Sequence, residues 1–287
     1  KIIHSGKELF DLPWVGKGIV SKVDEYINTG KVELLEDFEK NPIVLAHSEL
    51  TSVFGIGPKK AKNLIEKGIY NIKNLKKANK DKKIKLTHSQ KIGLKYYIDL
   101  KKRIPRDESE YIRNLIEKEF RKIYGSDGMV LLAGSYRQCK ETSGDVDIIL
   151  SVKGLNNTDG ILKQIVEKLF DTNILVDSLS GKKIPNKTNS SYIGIIKLKD
   201  NPARHIDLHV INYDNIPFHM LYFASGEQFS RQLRQRAKNK GYRLNNKGLF
   251  KKGSKKRVPN IKTEKNVFKE LGIKWIPPEK RLKAFDV

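Results

Sequence analysis

GSYRQCKETSGDVDIIL, residues Gly134–Leu150, is best read together with RHIDLHVI, residues Arg204–Ile211. MVLLAG, starting at Met129, reads as an apolar strand, GSYR as a turn, and DVDIIL as a second strand whose alternation puts Asp145 and Asp147 on one face. In HIDLHVI the residues Ile206, Leu208 and Val210 share one face and Asp207 points to the other. A third carboxylate can therefore lie beside the first two.

Alone, a D-x-D pair on a strand is most often two solvent-side residues. Here a Gly-Ser turn precedes the pair and a third strand Asp follows it. Three hard oxygen donors suit Mg²⁺ or Mn²⁺, and two such ions roughly 3.5–4 Å apart can activate an attacking oxygen while stabilising a leaving one. The turn's backbone N–H groups and the Ser135 hydroxyl can cradle a triphosphate. The constellation implies metal-dependent nucleotidyl transfer.

A chain of 287 residues holds two to four packed units. Its 57 Lys+Arg against 33 Asp+Glu leave +24 at neutral pH, which implies a polyanionic partner. The sequence has no long apolar segment, signal-like start or basic amphipathic anchor, so nucleic acid fits better than lipid. The single cysteine, Cys139, excludes an internal disulfide and a cysteine cluster for zinc; it reads as a loop thiol in a reducing, intracellular compartment.

The pattern predicts a multidomain α and α/β fold: helical units at 1–36 and 37–102, a mixed-sheet unit at 103–212, and a small α+β unit at 213–287. In the first, LPWVGKG is a Gly-punctuated turn and IVSKVDEYINTG a helix ended by Thr29–Gly30. TSVFGIGPKKAKNLIEKG, residues 51–68, repeats that grammar. Residues 76–91 read as a Lys-rich loop or helix end, Ile92–Leu100 as a short helix, and Glu108–Tyr124 as a helix after the Pro105 boundary. Gly160–Phe170 is the one helix among the strands of 129–212. FHMLYFASGEQFSRQLRQRAKNKG reads as helical, followed by a basic loop Lys251–Lys262 and a closing helix near TEKNVFKELG.

Both glycine turns resemble the helix-hairpin-helix, in which backbone N–H groups hold a DNA phosphate and lysines add charge. Gly16 in the first turn, and Gly55, Gly57, Lys59 and Lys60 in the second, are the DNA-binding candidates; Trp14 stands where a glycine often sits.

The ordered landmarks LPWVG, GIGPKKA, HSQKIGLKYY, KRIPR, GSYR, SGDVD, HIDLHV, LYF, NKGY and TEKNVFKELG resemble family X DNA polymerases across nearly the whole chain. The resemblance implies lyase, fingers, palm and thumb subdomains. It also implies a monomeric gap-filling repair polymerase that adds dNMP to a primer 3′-OH on gapped or nicked DNA, in the nucleus or at a viral site of DNA replication. Carried over by position, Asp145, Asp147 and Asp207 are metal ligands, Asp207 also helping to deprotonate the primer. Arg103, Ser135 and Gly144 contact the triphosphate, and Tyr222 and Phe223 face the sugar. Ser230 and Arg234 touch the nascent pair's minor groove, and Arg231 stacks on the template. Carbonyls of Thr51, Val53 and Ile56 form a monovalent site for Na⁺ or K⁺, with Leu12 and Val15 their counterparts in the first turn. Lys22 matches the Schiff-base lysine of 5′-deoxyribose phosphate removal.

Departures from the family pattern are as informative. Gln138 replaces an Arg that helps grip the triphosphate, and His205, His209 and Asn246 replace charged residues. Ser225–Gly226 reverses a Gly-Ser order associated with a cis peptide. The chain begins late relative to the family, so either the native protein is longer or the lyase site is incomplete. Two rivals to the templated polymerase are a template-independent terminal transferase and a catalytically silent DNA-binding module. The first draws on Ser180–Tyr192, which is longer than a tight hairpin needs and carries Lys182, Lys183 and Lys187; its plain reading is a mobile, solvated tip.

Overall fold

The computed structural model describes residues 2–155, 157–199 and 201–283. The chain packs as two compact units, 1–86 and 87–287.

The first unit is helical: α1 Lys17–Thr29, α2 Glu33–Lys40, α3 Pro42–Thr51, α4 Pro58–Glu66 and α5 Ile72–Lys80. Local chemistry sets these limits. Gly30 closes α1 in the left-handed conformation at φ 72. Asn41 caps α3 through a bond from Ile43 N–H with Pro42 at the first helical position, and Asn71 caps α5 through Asn74 N–H. Ala46, Leu50, Val53, Ile56, Ala61, Leu64 and Leu75 form its core. The boundary expected at 36/37 falls inside α2, which is continuous.

The two glycine turns share one backbone. Val15 N–H donates to Leu12 O at 3.2 Å, as Ile56 N–H does to Val53 O at 3.0 Å. Gly16 and Gly57 are extended N-caps, and Trp14 and Gly55 both have positive φ, 72° and 81°. The internal repeat is thus a repeat of conformation, with a tryptophan doing what glycine does in the second copy.

The second unit begins with α6 His88–Lys95, opened by a Thr87–Gln90 capping box, and α7 Tyr97–Leu100. Sequence grouped both helices with 37–102. They contact the sheet that follows: Ser89 Oγ donates to Leu179 O, while Lys95 Nζ and Tyr96 OH both reach Asp177 Oδ2.

β1 Ile104–Pro105 leads into α8 Arg106–Tyr124, whose Ile112, Ile116 and Phe120 recur every fourth residue and are fully buried. Then come β2 Gly128–Leu132, the single turn α9 Gly134–Arg137, β3 Thr142–Ser143, β4 Val146–Val152, α10 Ile161–Asp171, β5 Leu175–Ser178, β6 Ser191–Ile196 and β7 Arg204–Val210. The sheet order is β2-β4-β7-β6-β5, with β4 and β7 parallel and the other pairs antiparallel. This is the mixed sheet that the sequence predicts. Val146, Ile148, Leu150, Ile206, Leu208 and Val210 face the core under α8 and α10.

The remainder comprises α11 Ile216–Phe223, α12 Glu227–Asn239, the hairpin β8 Tyr242–Asn245 and β9 Gly248–Lys251, and α13 Glu264–Leu271. The stretch read as one helix is broken at Ala224–Gly226. Gly226 N–H donates to Arg281 O at 2.7 Å, and a Cβ on Gly226 would stand 2.5 Å from Leu282 O. The closing segment thus occupies the corner where a continuous helix would run. Among the described residues every peptide bond is trans, including that of Ser225–Gly226.

The Ser180–Tyr192 connection is tethered rather than a loose tip. Tyr192 OH donates to Lys183 O at 2.9 Å, Gly160 N–H to Lys187 O at 2.8 Å, and Asn186 N–H to Asn189 Oδ1 at 2.7 Å.

Candidate active site

The sheet gathers the acidic residues at one place. β4 and β7 are parallel and in register, so Asp147 lies directly opposite Asp207 on the face away from the main core. Asp145 enters β4 one step ahead of Val146. Gly134 allows α9 to press against Asp147: its φ is +51°, and a Cβ there would stand 1.7 Å from Asp147 Oδ2. Ala133 N–H donates to Asp147 O at 3.0 Å and holds that approach.

The grouping shows in the electrostatics. Burial, then the neighbouring Asp145 and Asp207 carboxylates, push the Asp147 pKa up to about 7. Burial disfavours charge on His205, but Asp207, Asp145 and Asp147 together outweigh it and raise the imidazole pKa above its ordinary value. His205 Nε2 stands 2.9 Å from Asp207 Oδ1, and its Nδ1 3.9 Å from Asp145 Oδ2.

A ligating atom from each of Asp147, Asp207 and His209 lies within 4.8 Å of the others. Asp145 stands outside that group, its Oδ2 3.9 Å from His205 Nδ1. Donors of this chemistry fit a divalent cation. His205 and His209 escaped the reading of the sequence as site groups, although the alternation that turns Asp207 to the open face turns both of them there too. His209 packs against Phe223 with the rings tilted, centroids 4.6 Å apart, and burial lowers its pKa.

The other candidates fall into small sets. Arg103 bonds Thr142 O at 2.7 Å and Oγ1 at 3.1 Å, and a Cβ on Gly144 would lie 3.2 Å from its Nη1, so Arg103 and Gly144 adjoin. Arg204, not anticipated, fixes this strip: buried, it holds Glu108 through two bonds and donates to Lys102 O. Ser135 follows Gly134 in the first turn of α9, where the first helical N–H groups have no intrahelical partner. Gln138 is buried at the end of that turn, and Arg137 pairs with Glu264. Tyr222, Ser230 and Arg234 line one cleft with Asn245. Arg231 points elsewhere, to Glu227 one turn back.

In the first unit, Lys22 is exposed on α1, Lys59 is exposed at the start of α4, and Lys60 Nζ donates to Lys85 O. Of the carbonyls assigned to a monovalent ion, that of Val53 accepts Ile56 N–H.

Comparison with known proteins places the architecture. The family model for the DNA polymerase beta palm matches residues 103–213, that for the DNA polymerase beta thumb residues 219–282, and that for the fingers domain of DNA polymerase lambda residues 48–101. DNA polymerase lambda of Arabidopsis thaliana is 33% identical over 97% of this chain and 54% of its own length. DNA polymerase lambda of Rattus norvegicus is 28% identical over 98% and 49%, and DNA nucleotidylexotransferase of Xenopus laevis 30% over 97% and 60%. The chain spans about half the length of the curated relatives it matches.

A mixed sheet carrying paired aspartates beside a glycine turn is the framework of a polymerase palm. The chain belongs to family X of the DNA polymerases.

Proposed function

We propose that this chain adds a dNMP to a primer 3′-hydroxyl in short DNA gaps, directed by the template. The observation that carries the reading is the register pairing of Asp147 with Asp207, with Gly134 pressed against Asp147. Asp145, Asp147 and Asp207 would hold Mg²⁺ or Mn²⁺, and His209 stands near enough to join them. Bound there, such ions supply polarisation of the attacking and leaving oxygens. The chain's own residues bind and orient. Ser135 and the first amides of α9 face the triphosphate, Arg103 adds charge, and Tyr222 and Phe223 form the wall against the sugar. Asp207 accepts the primer's proton.

The two glycine turns are read as helix-hairpin-helix grips on DNA phosphate, with the second turn's carbonyls around Na⁺ or K⁺. The exposed Lys22 is read as the amine of a 5′-deoxyribose phosphate lyase. Action as a monomer in base excision repair, in a nuclear or viral compartment, completes the reading. Among the described residues no helix is long and apolar enough to cross a membrane.

A second reading, untemplated or end-bridging addition, is favoured by the tethered, lysine-bearing Ser180–Tyr192 segment and by the 30% identical DNA nucleotidylexotransferase. Primer extension on one-nucleotide gaps, with and without a template strand, separates the two. Asp207→Ala should abolish addition while leaving DNA binding intact, because only a ligand and base are lost; near-normal extension would overturn the assignment.

A further inference from the structure

Between Arg236 and Lys262 the sequence contains no Asp or Glu, while Arg236, Lys238, Lys240, Arg243, Lys247, Lys251, Lys252, Lys255, Lys256, Arg257 and Lys262 are all cationic. Some cations elsewhere are neutralised locally, as Arg113 and Arg121 are around Glu117 and as Lys95 is by Asp177. Some members of the basic stretch are also engaged inward: Arg257 donates to Asn215 Oδ1 and lies over the Phe218 ring, and Arg236 Nε approaches Leu271 O.

The four lysines at the tip of the hairpin extension differ. A bridge pairs Phe250 with Arg257, and Lys251 N–H donates to Lys256 O at 3.4 Å. Lys251 and Lys256 therefore stand opposite each other across an antiparallel rung, with Lys252 and Lys255 next along the turn. Like charges directly opposite are unfavourable. All four are exposed, and among the described residues none of their ammonium groups pairs with a carboxylate. The loop is nevertheless fixed: Ser254 N–H donates to Lys251 O, Lys256 N–H to Ser254 Oγ, and Lys252 N–H to Gly241 O. Four repelling charges are thus displayed on a short, hydrogen-bonded tip.

We propose that Lys251, Lys252, Lys255 and Lys256 form a phosphate-binding tip that grips the DNA backbone, separate from the nucleotide site and blind to sequence. A phosphate is the group that opposed ammonium groups can share, and it turns their mutual repulsion into joint attraction. The rigid display lowers the ordering cost of binding. The inference rests on the DNA-polymerase reading above.

The test replaces all four lysines by glutamine in the full chain and measures affinity for gapped DNA at several salt concentrations. Loss of phosphate contacts should flatten the slope of log K against log salt by roughly 0.9 for each contact removed, so by about 2–4 in all. Affinity at fixed salt should fall at least about tenfold, a change of about 1.4 kcal/mol. KM for DNA should rise and kcat at saturating DNA stay constant. The unfolding temperature should hold or rise, since repulsion is relieved. An unchanged salt slope overturns the proposal, as does a fall in kcat without a change in slope. If inorganic phosphate raises the parent's unfolding temperature, but not the variant's, while the DNA slope is unchanged, the tip takes free phosphate and the proposal fails. Asp207→Ala serves as control. If neither it nor the parent binds gapped DNA, the polymerase reading fails; if both bind and the glutamine variant keeps their slope, only the tip is refuted.

Discussion

At the scale of single residues, the carboxylates were legible because a strand alternates with period two, and Asp145, Asp147 and Asp207 fall on the open phase. What alternation could not give is how closely Asp147 is enclosed. With its pKa raised to about 7 by burial and two like charges, Asp147 holds a proton in the folded metal-free chain that the unfolded chain has already released. Its contribution to stability is full below about pH 4 and is lost as pH rises through 7. Asp147→Asn should therefore stabilise the metal-free chain at pH 8, by something on the order of a few kcal/mol, and far less at pH 4. Mg²⁺ should raise the parent's unfolding temperature more at pH 8 than at pH 6 and leave the Asn variant unmoved; thermal melts at the three pH values decide it. Trp14 is the opposite case, since its type alone suggested that the first turn departs from the second. Yet the turn keeps the glycine-like conformation, φ 72, around a side chain that is 96% exposed. Trp14→Gly should stabilise the first unit by about 1 kcal/mol, read as a later urea midpoint; an earlier one would mean that the indole packs in solution.

Elements were easier to foresee where their signals are local. The TEKNVFKELG stretch was placed as a helix and starts at the Thr263 cap, and the apolar spacing of α8 marks its buried face; the helix read from Ile92 begins earlier, at the Thr87 capping box. The break between α11 and α12 was illegible because its cause is remote: Gly226 is needed where the Leu282 carbonyl approaches. The β5–β6 connection was legible as long and basic but not as ordered, since its ties run to Gly160 and Tyr192. That order bears on function. A fixed loop with Lys182, Lys183 and Lys187 can steady a strand at less entropic cost than a mobile one. Replacing Lys182–Asn189 by an Asn-Gly turn should reduce extension across a discontinuous template while sparing one-nucleotide gaps. Equal loss on both substrates, or on neither, would dismiss the role.

Over the whole molecule, ties between distant stretches decide how the second unit holds together. Glu264, buried at the start of α13, accepts Arg281 Nη1 at 2.7 Å and also pairs with Arg137 on α9. Arg281 is fully buried, donates to Ile276 O at 2.8 Å and lies over Trp275; burial lowers its pKa despite the Glu264 charge. Glu264→Gln removes the only anion in this trio and should cost about 3–5 kcal/mol, the range for breaking a buried pair. A urea titration measures this, and a loss below about 1 kcal/mol would mean that water reaches Arg281. None of this was readable beforehand, because a lone Glu in a capped helix and an Arg near the chain's end carry no sign of each other.

The position of β7 in the sheet has a consequence for synthesis. Although it is the last strand of the five to be made, it lies between β4 and β6 and pairs with both. A nascent chain that has emerged only through β6 carries Asp147 but not Asp207, and two strand edges wait side by side for a strand still inside the ribosome. Open edges are templates for the wrong partner. The strand that completes the pair of carboxylates is thus the same one that covers the inner edges of β4 and β6.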